Sequence, residues 1–294
     1  MPVLHYLQPL YRPPSEADNL IIQATYGCSF NQCSFCSMYR HKQYTERPLA
    51  DVFGDIDQAV KQMPDARRVF LADGDALALP TDHLLRILQY LEQRLENPAR
   101  VSCYATPANI LRKTDAELAS LAQHKLKLVY LGIESGSDLI LRKITKGASH
   151  RGIASAMHRA VDCGIKVSAT LILGLGGQAF WQQHIDGSIE LLNSAPLNYL
   201  STLQLYLEPS AEAEFYRKFG DAFSAQNDMQ ILHELHRLMA GIEPPQPVIF
   251  RSNHASNALP LAGNLPQDRG RLLAQIEQAI DGQRRLVPPA LRGL

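Results

Sequence analysis

The sequence predicts an α/β protein, and three features of the chain predict it. Six short apolar runs alternate with stretches in which apolar residues recur every three or four positions. Each strand–helix pair takes about 30 to 45 residues, the length of a βαβ unit with its crossover helix. The polar and glycine-containing segments that stand out each follow an apolar run. Right-handed crossovers leave two arrangements, an open doubly wound sheet or a barrel, and both gather ligands at the carboxyl ends of the strands.

The elements follow in order. Residues 1–18 carry Pro2, Pro9, Pro13 and Pro14 and read as an irregular lead-in. Asn19–Thr25 is the first strand, and the polar segment Arg40–Arg47 reads as solvated surface. Val52, Ile56, Val60 and Met63 mark an amphipathic helix, Arg67–Ala72 a second strand ending in Asp73-Gly74-Asp75, and Leu84, Leu88 and Leu91 a helix capped by Thr81 or Asp82. Arg100–Thr106 is a third strand stopped by Pro107, and Thr114 to Glu117 has the form of a capping box. Leu126–Ile133 is a fourth strand, and a helix from about 149 to 163 closes at Gly164. Lys166–Leu173 is the fifth strand, Ile185, Ile189 and Leu192 lie on a helix, and Leu200–Leu207 is the sixth strand. A helix over Asp228–Met239 carries His233 and His236, read as a solvated face rather than a metal pair. Beyond a proline-rich break, Val248–Phe250 reads as a short strand and 267–280 as a last helix.

Composition narrows the function. The 294 residues, 46% hydrophobic, suit one large domain, or a domain with a short appendage. No run of eighteen apolar residues predicts a membrane span. Lys plus Arg and Asp plus Glu number 29 each, so bulk charge gives nucleic-acid binding no support. Five cysteines and no signal-like start predict a cytoplasmic protein.

The chemistry concentrates in Tyr26–Cys36, where Cys28, Cys33 and Cys36 fall within nine residues. Such a run in a reducing compartment points to metal rather than to a disulfide or to buried apolar thiols. Structural zinc wants a fourth ligand, for which His41, Cys103 and Cys163 are the candidates. An iron–sulfur cluster on three thiolates, with one iron left open, fits the count better. Cys103 and Cys163 read as buried thiols.

This cysteine loop resembles that of the radical S-adenosylmethionine (SAM) enzymes. Cys33-Ser34-Phe35-Cys36 matches the second half of their motif, aromatic included, whereas the four residues Ser29 to Gln32 make the first half one longer than usual. Gly132-Ile133-Glu134-Ser135-Gly136-Ser137-Asp138 resembles the corresponding segment of the subgroup containing methylthiotransferases and anaerobic coproporphyrinogen oxidase. The resemblance covers about residues 19–210. It implies a partial (β/α)6 TIM-like barrel over 19–240, with 241–294 as a short C-terminal extension able to cap the site. It further implies a [4Fe-4S] cluster held by Cys28, Cys33 and Cys36, reductive cleavage of SAM to a 5′-deoxyadenosyl radical, hydrogen abstraction from a substrate, and a low-potential electron donor of flavodoxin or ferredoxin type.

Residue by residue, the resemblance places Asp73, Gly74 and Asp75 at the turn whose backbone binds the SAM amino group. It gives Glu134 the ribose hydroxyls or the methionine part, and Lys146, twelve residues on, the SAM carboxylate. Thr170 takes a ribose-contacting position, Gly174-Leu175-Gly176 the turn flanking adenine, and Phe35 helps to place that ring. Tyr104, Tyr206, Glu208 and His254 are the candidates for catalytic or substrate contact, with Gln204 and the Arg251–Asn257 segment beside them. The competing readings are a non-catalytic cluster, SAM or haem carrier and a zinc-binding structural protein.

Overall fold

The computed structural model describes residues 4–220 and 223–292. Its first half runs β1 (Leu20–Gln23), β2 (Thr25–Tyr26), β3 (Thr45–Glu46), α1 (Leu49–Gln62), β4 (Arg68–Ala72), α2 (Thr81–Arg94), β5 (Arg100–Ala105), α3 (Pro107–Arg112), α4 (Asp115–Gln123) and β6 (Leu126–Glu134). The second half runs α5 (Asp138–Lys143), α6 (His150–Asp162), β7 (Lys166–Leu173), α7 (Gly177–Ser194), β8 (Tyr199–Gln204), α8 (Pro209–Phe219), α9 (Asp228–Gly241), β9 (Val248–Ser252), β10 (Leu261–Leu265) and α10 (Arg269–Ile280). The main sheet has eight strands in the order β1-β4-β5-β6-β7-β8-β9-β10, and β2 and β3 form a separate ribbon. β1 pairs with β4, β4 with β5, β5 with β6, β7 with β8 and β8 with β9 in parallel. β10 returns antiparallel to β9.

The six predicted strands are β1 and β4 to β8, and the predicted α/β class holds. Local chemistry explains most of the helices. α1 buries Val52, Ile56 and Ala59, and α2 buries Leu84, Ile87, Leu88 and Leu91, each group on one helical face. Full burial of each of these aliphatic side chains contributes about 1.5–3 kcal/mol. Thr114 and Glu117 form the expected capping box on α4, and Gly164 takes a left-handed φ of 83° after α6. α2 starts differently from expectation: Pro80 is its N-cap and Thr81 already lies inside it. α3, α5, α8, β10 and the β2–β3 ribbon are additions. The alternation in β10, with Leu261, Gly263 and Leu265 buried and Ala262 and Asn264 exposed, is masked in sequence by its alanine and glycine.

The chain forms two compact units. The first comprises residues up to Asn31, Met38–Leu131 and Arg159–Val167. Ile21, Phe70 and Ala72 form a buried cluster there, covered by Tyr104, Tyr130 and the lead-in residues Tyr6 and Leu10. Glu16, fully buried, accepts from Arg100 Nη2 at 2.7 Å, Ser102 Oγ at 3.0 Å and the Tyr130 hydroxyl at 2.5 Å. The lead-in is thus irregular, as predicted, but threaded into the core by polar bonds. In Arg40–Arg47 the solvated reading holds for His41, Gln43, Thr45 and Glu46, which are exposed, but not for Lys42 and Arg47, which are both buried. Arg47 Nη1 donates to Gln23 O at 2.6 Å and to Asp55 Oδ2 at 2.5 Å.

The second unit comprises Gln32–Ser37, Gly132–His158 and the chain from Ser168 on. Its apolar cluster joins Ile140, Ile144, Ile172, Leu175, Phe215, Phe219 and Phe223, with Phe35, Phe180, Leu205 and Leu207 packed against them. The C-terminal segment is tied to the end of β8: Asn257 accepts from Gln204 N at 2.6 Å and donates to Thr202 O at 2.7 Å. Arg292 holds both oxygens of Asp228, at 2.9 and 2.5 Å.

Candidate active site

The predicted site residues fall into two sets. In the first unit, the cysteine loop leaves β2 and is pinned by the turn that follows β4. Asp75 Oδ1 accepts from Ser29 N at 2.8 Å and its Oδ2 accepts from the Ser29 hydroxyl, so the residue beside Cys28 is held at two points. Burial raises the Asp75 pKa to about 6, and the hydrogen bonds from Ser29 oppose that rise. Gly74 must be glycine, because a Cβ there would lie 2.8 Å from Gly27 O and 2.9 Å from Cys28 Cβ. Its N–H donates to Gly27 O at 3.0 Å, closing turn against loop.

Asp73 is fully buried, and its Oδ2 accepts from Lys42 Nζ at 2.8 Å, Gln23 Nε2 at 3.3 Å and Gly27 N at 3.3 Å. Lys42 uses its other donors on Leu7 O at 2.8 Å and Pro9 O at 2.6 Å. Asp75 and the Oδ2 of Asp73 thus bind the chain itself, while Asp73 Oδ1 is buried without a hydrogen-bond partner among the described residues. Asn31 accommodates the extra loop residue by adopting a φ of 44°, while its Nδ2 donates to Tyr39 O at 2.8 Å. Tyr104 packs its ring edge against Phe70, centroids 5.2 Å apart, which makes it part of the core margin.

In the second unit, Ser34 N donates to Ile144 O at 2.9 Å and Cys36 N to Cys33 O at 3.1 Å. Glu134 ends β6 in the left-handed region with φ 60°, folding its carboxylate back over Gly132, where a Cβ would stand 2.0 Å from Glu134 Oε1. That carboxylate accepts from Lys146 Nζ at 2.9 Å, and both side chains are 10% exposed. Burial alone would lower the Lys146 pKa, but Glu134 and the Cys33 and Cys36 thiols outweigh it and hold the ammonium above its ordinary value.

The Glu134 turn continues into a buried network missed in the sequence. Ser135 Oγ bonds His184 Nδ1 at 2.8 Å, and His184 Nε2 faces Ile172 O at 2.9 Å, so the carbonyl assigns the proton to Nε2. Burial lowers the His184 pKa to about 4 and keeps the ring neutral. Thr170 is half-buried on β7, in register with Ser201 of β8. Gly174 follows β7 at φ 82° and donates its N–H to Glu234 Oε2 at 2.6 Å. Phe35 packs against the apolar cluster that includes Leu175, the residue inside that turn. Tyr206, 54% exposed, and Glu208, also exposed, stand beyond β8. His254 is half-buried, its Nδ1 accepting from the Ser256 hydroxyl at 2.9 Å and from Ser256 N at 3.2 Å. No structural signal in these four candidates singles out a catalytic role. His236 pairs with Glu277 at 3.1 Å, in keeping with a helix face, and Cys163 is only half-buried where a buried thiol was expected.

Among the described residues, no three His, Cys, Asp or Glu side chains form a ready cage for a metal ion. The donor chemistry nevertheless suits a cluster: Cys28, Cys33 and Cys36 are outside any disulfide and half-buried, two of them facing the field of a buried ammonium.

Comparison with known proteins gives four findings. The family model of the radical SAM superfamily matches residues 22–186, more than half of the chain. The heme chaperone HemW of Bacillus subtilis (strain 168) is 22% identical over 184 residues, which are 60% of this chain and 48% of HemW. Coproporphyrinogen III oxidase (HemN) from Escherichia coli matches with a TM-score of 0.57 at 18% identity, covering 76% of this chain and 51% of that one. The hydrogenase maturase HydG from Carboxydothermus hydrogenoformans matches with a TM-score of 0.51 at 16% identity, covering 87% and 56%. The chain spans about half the length of these relatives. The likeness places its α/β fold in the partial (β/α)6 TIM-like barrel class.

Proposed function

The chain belongs to the radical SAM superfamily, whose members use a [4Fe-4S] cluster and S-adenosylmethionine, and from that premise we propose that it is a radical enzyme. When bound, the cluster and SAM supply reductive C–S cleavage and a 5′-deoxyadenosyl radical that takes hydrogen from a substrate. Cys28, Cys33 and Cys36 would hold the cluster. Asp75 and Ser29 fix the loop beside Cys28, while the backbone of Asp73-Gly74-Asp75 is available to the SAM amino group. Lys146 would meet the SAM carboxylate and Glu134 its ribose or methionine part, exchanging their mutual ion pair for a ligand that carries both charges. Thr170, Phe35 and the Gly174 turn would take the nucleoside. The reading includes a low-potential donor of flavodoxin or ferredoxin type and a cytoplasmic setting; among the described residues no helix is long and apolar enough to cross a membrane.

The observation that carries the proposal is the Glu134–Lys146 pair, buried on the turn after β6 with its ammonium in the field of two motif cysteines. The likeness to a heme chaperone supports a second reading, a protein that binds cluster and SAM and carries haem without turnover. One experiment separates them. Anaerobically reconstituted protein is incubated with SAM and dithionite, and deoxyadenosine and methionine are assayed with Cys33→Ala alongside. Deoxyadenosine that depends on Cys33 is the expected result. Intact cluster and bound SAM with no product favours the carrier, and a colourless zinc protein sinks both.

A further inference from the structure

The segment from Phe223 to Glu234 lies outside the family-matched residues, yet it cradles the turn that follows β7. Gln178 N donates to Ser224 O at 2.9 Å, and Gln178 Nε2 to Ala225 O at 2.9 Å. A Cβ at Gly174 would stand 2.7 Å from Ile231 Cδ1, and one at Gly177 would stand 2.9 Å from Ser224 O. At the centre is Glu234, on the inward face of α9 and fully buried. Its Oε2 takes the Gly174 N–H at 2.6 Å, whereas its Oε1 and Gln226 Oε1 are both buried without a hydrogen-bond partner among the described residues.

We propose that Glu234 is a positioning residue for SAM binding: from α9 it holds the Gly174 N–H and so sets the backbone that flanks the adenine. This rests on the proposed SAM assignment of the Gly174 turn. Burying a carboxyl is costly, and the Gly174 N–H that Glu234 Oε2 accepts offsets part of that cost. Burial pushes the Glu234 pKa up to about 8, against hydrogen bonds from Gly174 and Gln226 that favour the charged form. The charged groups on the packed elements are engaged elsewhere: Arg237 of α9 with Asp186 of α7, His236 with Glu277 of α10, Asp228 with Arg292, and His184 of α7 with Ser135. His233 lies on the exposed side of α9.

The test uses the full-length, anaerobically reconstituted protein. Equilibrium dialysis with radiolabelled SAM gives Kd, and hydrogen exchange at pH 7 reads the peptide containing Gly174. Glu234→Ala is expected to raise Kd about tenfold, the equivalent of one buried hydrogen bond, and to release the Gly174 amide to exchange. Glu234→Gln, which keeps an acceptor for Gly174 and places a donor toward Gln226, is expected to stay within about twofold of wild type on both readouts. The inference is overturned if Glu234→Ala binds SAM like wild type, or if Glu234→Gln is as defective as Glu234→Ala. A wild-type chain that binds no SAM is a different failure: it sinks the radical reading, while the exchange data still decide whether Glu234 holds the turn.

Discussion

Two turns in this molecule look alike in sequence, each with a carboxylate and a glycine within two residues of a strand end, yet they differ in what holds their charges. After β4, Asp73 accepts from Lys42, Gln23 and Gly27, and Asp75 gives both oxygens to Ser29. Lys42 in turn binds two carbonyls of the lead-in as well as Asp73. After β6, Glu134 is matched to Lys146, whose ammonium also feels the Cys33 and Cys36 thiols. A carboxylate surrounded by the chain's own donors is architecture. A pair of opposite charges beside the thiols proposed to hold the cluster is a set that a zwitterionic ligand can enter without leaving either charge unmatched.

The largest effect expected concerns the thiols common to both readings of the site. Cys33→Ala should abolish cluster retention, seen as loss of protein-bound iron and of visible absorbance, and with it deoxyadenosine formation. Retention of a full cluster would break the ligand assignment on which the comparison stands.

The two lysines test the comparison itself. Breaking either buried pair costs about 3–5 kcal/mol, so Lys42→Ala and Lys146→Ala should both lower the denaturant midpoint by comparable amounts. SAM affinity should part them. Lys42→Ala protein that remains folded should bind within about threefold of wild type, whereas Lys146→Ala should lose about tenfold or more, since a charged hydrogen bond is worth 1.5–3 kcal/mol. Equal losses of affinity would erase the distinction.

A smaller effect sharpens it with pH. Glu234 has a folded pKa of about 8, above the ordinary carboxyl value, so the folded state binds its proton more tightly than the unfolded chain. Its contribution to stability is thus full below about pH 4 and is lost as pH rises through about 8. Glu234→Gln lacks that dependence and should gain on wild type by roughly 2–4 kcal/mol between pH 5 and pH 9 in denaturant titrations. Parallel pH profiles for the two proteins would show that the buried carboxyl does not titrate in this window.

The smallest effect falls on the lengthened cysteine loop. Asn31→Gly keeps access to the left-handed φ and loses only the bond to Tyr39 O, about 1 kcal/mol. Asn31→Ala adds a left-handed penalty of about 1–2 kcal/mol. Identical unfolding midpoints for the two variants would mean that the backbone angle is not what makes room for the fourth intervening residue.

The sequence by itself determined the α/β class, six strands of the main sheet, the capping box at Thr114, the stop at Gly164 and the cysteine loop that leads to the family. These rest on periodicity, turn chemistry and spacing, which act over a few residues and are written locally. Tertiary structure decided which charges are buried and what they touch. Lys42 meets Asp73 across 31 positions, and Glu234 meets Gly174 across 60. Arg40–Arg47 therefore reads as a solvated stretch until the fold supplies Asp73, Asp55 and the lead-in carbonyls. Glu234 reads as one more polar residue on a helix until the turn after β7 presents its N–H. Burial and hydrogen-bond partners are properties of segments brought together, and a single stretch of chain does not contain them.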